Sequence, residues 1–575
     1  MEASYSKNSK DLDPELIGKY QNYSSFSNPV KYIKPHQVLA INRGETQKVL
    51  SVKLIVPDWT ERQFQNFLHR NFGSKFHPAH KKLVQLTADD CYKRLVQPQI
   101  CRHIRSDLVK TAEKASIDVF AQNLKQLLLC PPVKGVNILG VDPGFKHGCK
   151  LAAISKENKV LQTEVVYLPR KGVDSFLSHA DNRKLVDIVQ KNGCEKIALG
   201  NGTACRETEA WVSELIKKEP LKNSNIQYCI VNESGASIYS VTDLAQKELP
   251  NLDPNLRSAV SIARRLQDPL AELVKIEPKH IGVGMYQHDV GEKALLNSLN
   301  SVVEECVSFV GVDVNTCSLE LLQKISGLSK SLASKIITLR QEVGRIHNRM
   351  QIRNLKGIGP KTFLQCAGFI RIHQGCNNKE TSTKPPKAKK KKLEENVWNP
   401  LDCTAVHPES YLIAERIIEK NGYSKSDVGS SHLCQNMAKL AKDIDWLNTN
   451  AVNQQTDRAT LQQIVEALAQ PIDYDYRQDF QKPVFRESVR SLSDLRPGNE
   501  LCGSVTNVTH FGAFVDIGVG RDGLLHISKF PPNSQLEALN SGKNNYQTFL
   551  EAVRRQDLKS CWETGRVQIN LVRDP

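Results

Sequence analysis

At 575 residues the chain is longer than one hydrophobic core supports, so several domains are expected. Lysine and arginine exceed aspartate and glutamate, 78 to 62, and the net charge of +16 favours a polyanionic partner over a basic one. The 15 cysteines are scattered with no CxxC pair, which argues against a zinc ribbon or a disulfide scaffold and for a reducing compartment.

Residues 1–30 are polar and rich in serine and asparagine, so a flexible N-terminus is expected. MEASYSKNSKDLD has no apolar core of the kind a signal peptide needs. No stretch approaches the roughly 20 apolar residues of a membrane span. An intracellular, soluble protein without membrane contact is expected. Residues 31–132 read as a mixed α/β and long-helix scaffold. VLAINRGE (Val38–Glu45) is followed by VLSVKLIVP, a strand or two, and apolar residues recur at helical spacing from Arg102 to Leu129 until Pro131 and Pro132 stop them.

Residues 133–290 alternate strand and helix signals. VNILGVD is a near-continuous apolar strand ending in Asp142. LAAIS and KVLQTEVVYL follow as strands, then a helix over 183–190, the strand KIALG, a helix from Glu207 and the strand IQYCIVN. Three strands followed by alternating helices and strands, with an acid closing the first, is the order of an RNase H-like fold. Phosphodiester cleavage on that fold needs carboxylates converging on two metals, and Asp142, Glu233 and Asp268 are the candidates, each at a strand end or helix start. Asn201, at the end of KIALG, is a neutral ligand where an active nuclease places an acid, and a missing acid weakens the hold on hard cations.

Residues 291–373 carry two helix–hairpin–helix signals. The first is built on SGLSKSLASKII with Gly327, Lys330 and Lys335; the second on LKGIGPKTFLQ with Gly357, Gly359 and Lys361. Glycines let the backbone approach a phosphate, helix N-terminal N–H groups point at it, and the lysines add charge without base specificity. A hairpin used only for helix packing has the same pattern. Residues 374–396 are lysine-rich and nearly free of apolar residues, a disordered linker; PPKAKKKK suits a nuclear import signal, a phosphate-binding tether or both. Residues 397–494 form a second helical domain in which His407, before a proline, packs or caps rather than binding metal.

Residues 495–575 begin as a small barrel: short alternating strands broken by Gly503, Gly512, Gly518, Gly520 and Gly523. Phe511, Phe514 and His526 offer ring faces for bases, and Arg521 and Lys529 offer cations for phosphates. FGAFVDIG…DGLLHIS resembles the S1 RNA-binding domain, an OB-fold that grips single-stranded RNA. After HISKF the expected last two strands give way to a polar stretch, with only Arg566–Val572 strand-like, so closure of the barrel is open.

GVDPGFKHGCKLAAI, GNGTACRETE, VNESGAS and SIARRLQDPLAELVKIEPKHIGVGMYQHDV, in that order and spacing, resemble the Tex family of transcription accessory proteins over about residues 28–528. The resemblance implies a multidomain α/β, α and β protein: a YqgF-type RNase H-like domain without catalysis, helix–hairpin–helix modules and an S1 barrel. A further helical region is expected ahead of the first residue here. The implied function is binding of single-stranded RNA, with DNA as a second ligand, in transcription, RNA metabolism or translation. Transcription or ribosomal machinery are the expected partners, in the nucleus or the cytoplasm. A metal-dependent nuclease and a protein-interaction scaffold are the alternatives. No Walker loop and no dinucleotide fingerprint occur, so no cofactor is expected.

Overall fold

The computed structural model describes residues 1–6, 12–72, 77, 80–168, 180–217, 221, 224, 226–282, 286–373, 398–453, 456–480, 483, 485, 500, 501, 504–509, 512–516, 522–526, 567 and 568. From residue 500 onward only the backbone of the strands is described. The chain forms two compact units, Met1–Leu129 with Leu273–Tyr476, and Cys130–Glu272 with Arg477–Pro575.

The first unit begins with β1 (Glu2–Tyr5), α1 (Pro14–Gly18), β2 (Ser25–Ser27), α2 (Pro35–Thr46) and β3 (Leu50–Lys53). The expected flexible N-terminus is therefore partly a sheet: β1 lies between β2 and β3, antiparallel to both, with Ala3 opposite Phe26 and Val52. Composition misled because the segment's few apolar residues are its anchors, Met1 and Ala3 being buried. VLAINRGE forms the body of α2. Pro35 starts this helix, and Val38, Leu39 and Ile41 fill its buried side. Helices α3 (Asp58–Phe72), α4 (Lys81–Cys91) and the long α5 (Gln97–Leu128) follow.

The second unit opens with β4 (Asn137–Asp142), β5 (Cys149–Ile154), β6 (Val160–Val166), α6 (Ala180–Lys191), β7 (Cys194–Gly200), α7 (Cys205–Lys217) and β8 (Gln227–Val231). These are the strands and helices expected from the periodicity. The five strands run β6-β5-β4-β7-β8, antiparallel across β6-β5-β4 and parallel across β4-β7-β8. Helices α8 (Ala236–Ser240), α9 (Asp243–Glu248), α10 (Pro254–Gln267) and α11 (Pro269–Leu273) come next. The sheet is covered on both faces. Leu139 and Val141 pack with Leu185, Ile188, Trp211 and Val212 of α6 and α7. On the other face, Ile138, Ala152, Ile154 and Ala198 pack with Ala259, Ile262 and Ala263 of α10. Gly140 permits that second contact, since a Cβ there would overlap the Ala259 carbonyl oxygen.

The chain from Leu273 to residue 290, expected within the α/β domain, belongs to the first unit. Arg43 there forms an ion pair with Asp289 and lies over the Tyr286 ring, 5.1 Å from its centroid. The unit continues with α12 (Glu292–Val310), β9 (Val312–Asp313), α13 (Leu319–Leu322), α14 (Lys330–Val343), α15 (Arg349–Arg353), α16 (Pro360–Ala367) and β10 (Ile370–Arg371), with β9 and β10 paired in parallel. Helices α17 (Tyr411–Lys420), α18 (Ser431–Leu440), α19 (Ile444–Asn453) and α20 (Arg458–Leu468) make the second helical domain around Leu433, Met437, Leu461 and Val465.

In the second unit β11 (Glu500–Leu501), β12 (Ser504–Thr509), β13 (Gly512–Asp516), β14 (Asp522–His526) and β15 (Val567–Gln568) complete the described strands. β12, β13 and β14 form an antiparallel sheet, and β11 pairs with β15 inside the strand-like stretch 566–572. The lysine-rich linker lies outside the described residues.

Candidate nucleic-acid interface and carboxylate site

The two hairpins are copies of one design, 30 residues apart in the chain. Ser318 caps α13 by accepting from the Leu321 N–H, and Asn348 caps α15 by accepting from the Gln351 N–H. Gly327 and Gly357 both sit in the left-handed region, at φ 83° and 105°, where a side chain would be strained. They pack reciprocally. A Cβ at Gly327 would meet Gln365 Cβ at 3.0 Å, on α16; one at Gly357 would meet Lys335 Nζ at 3.1 Å and Leu332 at 3.4 Å, on α14. Each turn thus rests on the second helix of the other hairpin.

This arrangement sorts the predicted phosphate ligands. Lys330 and Lys361 stand exposed in the first turns of α14 and α16, beside Ser329 and Gly359. No side chain caps α16 at Gly359, so its leading N–H groups stay open to an anion. Lys335 differs: its Nζ donates to the Lys356 carbonyl at 2.9 Å and ties one hairpin to the other. Its first role is in holding the pair together.

A residue that sequence reasoning missed anchors the second hairpin. Arg349 is fully buried. It donates from Nε to Ile370 O at 2.8 Å, from Nη1 to Val406 O at 2.8 Å and Tyr411 Oη at 2.6 Å, and from Nη2 to Thr404 O at 2.9 Å; its backbone N–H donates to Asp402 Oδ2 at 2.9 Å. His407 caps and packs, accepting the Glu409 N–H at Nδ1 and placing Nε2 2.9 Å from Leu364 O.

In the α/β domain period-two geometry decides what meets. Ile138, Gly140 and Asp142 on β4, Lys150, Ala152 and Ile154 on β5, and Ala198 and Gly200 on β7 all share the face that α10 covers. Asp142 lies directly opposite Lys150, with Oδ2 4.0 Å from Lys150 Nζ. From the first turns of α10, Ser258 donates to the same oxygen at 2.5 Å. Glu233, two residues beyond β8, packs its carboxylate where side chains at Gly200 and Gly202 would overlap it. Asn201 accepts the Glu233 backbone N–H at 3.1 Å, so the residue marked as a neutral metal ligand instead positions this loop.

Burial raises the Glu233 carboxyl above its ordinary range. Asp142 adds to the rise, against the Gly202 N–H and the charges of Arg265 and Lys150. Glu233 Oε2 is buried without a hydrogen-bond partner. Arg265, buried on α10, donates from Nη1 to Asn232 O at 2.7 Å and Ser234 O at 2.9 Å, gripping the loop that carries Glu233. Desolvation lowers its pKa to about 10.

Asp142 and Glu233 are therefore brought together, and Asp268 is not. Asp268 ends α10, ten residues past Ser258 or about 15 Å along the helix, where Arg477 pairs with it at 2.7 Å. Two carboxylates flanked by Lys150 and Arg265 do not fit a two-metal centre. Among the described residues no group of three or more His, Cys, Asp or Glu side chains could hold a metal ion.

Phe511, Arg521 and Lys529 lie outside the described residues. Phe514 is on β13 and His526 on β14; with Gly512 opposite His526 and Phe514 opposite Leu524, the two occupy adjacent strands two positions apart in register. No described helix is long and apolar enough to cross a membrane.

Five family models match in chain order: Tex central region-like over residues 6–120, Tex protein YqgF-like domain over 136–267, helix-hairpin-helix motif over 307–371, HHH domain over 399–477 and S1 RNA binding domain over 494–550. The chain thus carries S1 and helix–hairpin–helix domains of nucleic-acid-binding type. Among relatives, S1 RNA-binding domain-containing protein 1 of Homo sapiens is 43% identical over 599 residues, covering 98% of this chain and 59% of its own length. The transcriptional accessory protein Tex of Neisseria gonorrhoeae is 39% identical over 521 residues, 89% of this chain and 62% of its own. Protein YdcI of Bacillus subtilis is 39% identical over 571 residues, 98% and 73%. The chain spans less than two thirds of the first two of these relatives, and with its domains in that order and identity of this extent it belongs to the Tex family.

Proposed function

We propose that the protein binds nucleic acid without cleaving it, with single-stranded RNA as the main ligand of its S1 domain and the hairpin pair gripping the backbone. The observation that carries this reading is the reciprocal hairpin pair, whose packing leaves Lys330, Lys361 and the uncapped start of α16 exposed. Such a surface contacts phosphates and is blind to sequence. Phe514 and His526 on adjacent strands are suited to stacking on bases, with Phe511, Arg521 and Lys529 as further contacts. Transcription is the proposed setting, because a relative bears the name transcriptional accessory protein. Nuclear location and contact with transcription or ribosomal machinery belong to the same proposal.

The test is fluorescence anisotropy of the full chain with single-stranded RNA, single-stranded DNA and duplex DNA across a salt series with magnesium, followed by inspection of the probes for cleavage. Intact probes, preference for single-stranded RNA and steep weakening with salt are expected. Preference for duplex DNA would shift the main role to the hairpins. Magnesium-dependent cleavage lost in Asp142→Asn would replace the reading with a nuclease.

A further inference from the structure

RNase H-like nucleases work through divalent metal held by clustered carboxylates, and the surroundings of Asp142 and Glu233 are of a different kind. We propose that Lys150 supplies the positive charge that a metal would bring, making these carboxylates part of an internal ion cluster closed to divalent cations. This deepens the non-cleaving part of the reading above and rests on it.

Four observations converge. Lys150 is placed by the sheet itself, opposite Asp142 in the antiparallel ladder and on the same face, with its side chain only 15% exposed. The β4–β5 connection beside it is tight, since a Cβ at Gly144 would stand 2.8 Å from the Gly148 carbonyl oxygen and in ordinary contact, 3.4 Å, with Lys150 Nζ. Asp142 Oδ2, the oxygen facing Lys150, also accepts from Ser258, so the α10 position nearest Asp142 holds a neutral hydroxyl donor instead of a third acid. The acid expected from that helix, Asp268, is engaged by Arg477 at its far end.

Within the cluster Lys150 faces Asp142, and the charge of Arg265 is shared between Glu272 and Glu233. A divalent ion entering here meets the Lys150 ammonium at close range. Hard cations depend on the number of charged oxygen ligands, and this site has surrendered one ligand to Ser258 and screened another with Lys150. Lys150 is thus a positioning residue, holding Asp142 and the β4–β5 end of the site in register without an ion.

Manganese binding to the full chain, read by electron paramagnetic resonance and by thermal shift, tests this in the wild type and in Lys150→Met/Ser258→Asp. The wild type should show no saturable Mn2+ site that depends on Asp142. The double variant should gain one, tighter by about tenfold or more, with a melting temperature that rises with Mn2+ and a response abolished by adding Asp142→Asn. Wild-type binding that Asp142→Asn removes would overturn the proposal, as would a folded double variant that binds no better than the wild type. Should the double variant not fold, a stability cycle decides. Stability lost in Lys150→Met and restored by adding Asp142→Asn supports the pairing; additive losses refute it. RNA anisotropy in metal-free buffer on the same samples reports separately on the RNA-binding reading.

Discussion

The hairpin pair and the α/β domain both combine glycines with basic residues, and they put the charge to opposite uses. In the hairpins the glycines are at the surface, seating two turns against each other's helices, with Lys330 and Lys361 exposed. In the α/β domain Gly140, Gly200 and Gly202 make room for α10 and for the Glu233 carboxylate, which lies in the fields of Arg265 and Lys150. One region presents its charge; the other consumes it. The same residue types serve recognition or architecture according to whether the backbone geometry faces them out or in.

The harshest challenge to this contrast is its exception, the buried Arg349 inside the hairpin region. Arg349→Met should cost about 3–5 kcal/mol in denaturant unfolding, because four acceptors lose a buried charged donor, while Asp402 keeps the backbone N–H of residue 349. Gly140→Ala comes next. Its Cβ overlaps the backbone of α10, and a loss of about 3 kcal/mol confined to the α/β domain is expected by hydrogen exchange. Gly357→Ala should cost roughly 1–2 kcal/mol through its left-handed backbone and weaken nucleic-acid binding at the same time, by displacing the turn.

Lysine variants divide the hairpin more finely. Lys330→Ala and Lys361→Ala should each lower the slope of log affinity against log salt by about one and leave the melting temperature unchanged. Lys335→Ala should reduce thermal stability first, because it frees the Lys356 carbonyl. The smallest effect is expected at Glu233. Its raised carboxyl adds stability below the ordinary carboxylate range, and this is lost as pH rises through the raised value. Glu233→Gln, neutral throughout, should melt with the wild type near pH 4 and above it near pH 7, the gap opening with pH.

Much of the fold was legible because period two and period 3.6 dominate each segment: β4 to β8 fall where the apolar runs lie, and the hairpins where glycine interrupts helical spacing. Asp142 and Glu233 were legible as acids following apolar strands. Lys150 is not a residue that metal chemistry singles out, although the alternation Lys150, Ala152, Ile154 already puts it on the face of Ile138 and Asp142. Ser258 and Arg265 were also within reach, seven residues apart and so on one side of a helix two turns long between them. Asp268 misled because proximity to a helix end says nothing about which end of the sheet that helix approaches. Arg349 was beyond reach, since its acceptors at 370, 404 and 406 are joined to it only by tertiary packing.

The reciprocal seating of Gly327 and Gly357 also governs how the hairpins come apart. Neither turn has its supporting surface within its own half, so opening one strips the other of its platform. The pair should breathe as a single cooperative unit, the amide protons of both turns exchanging in one shared event. Under the proposed grip, a polyanion held at both turns is released from both together or from neither.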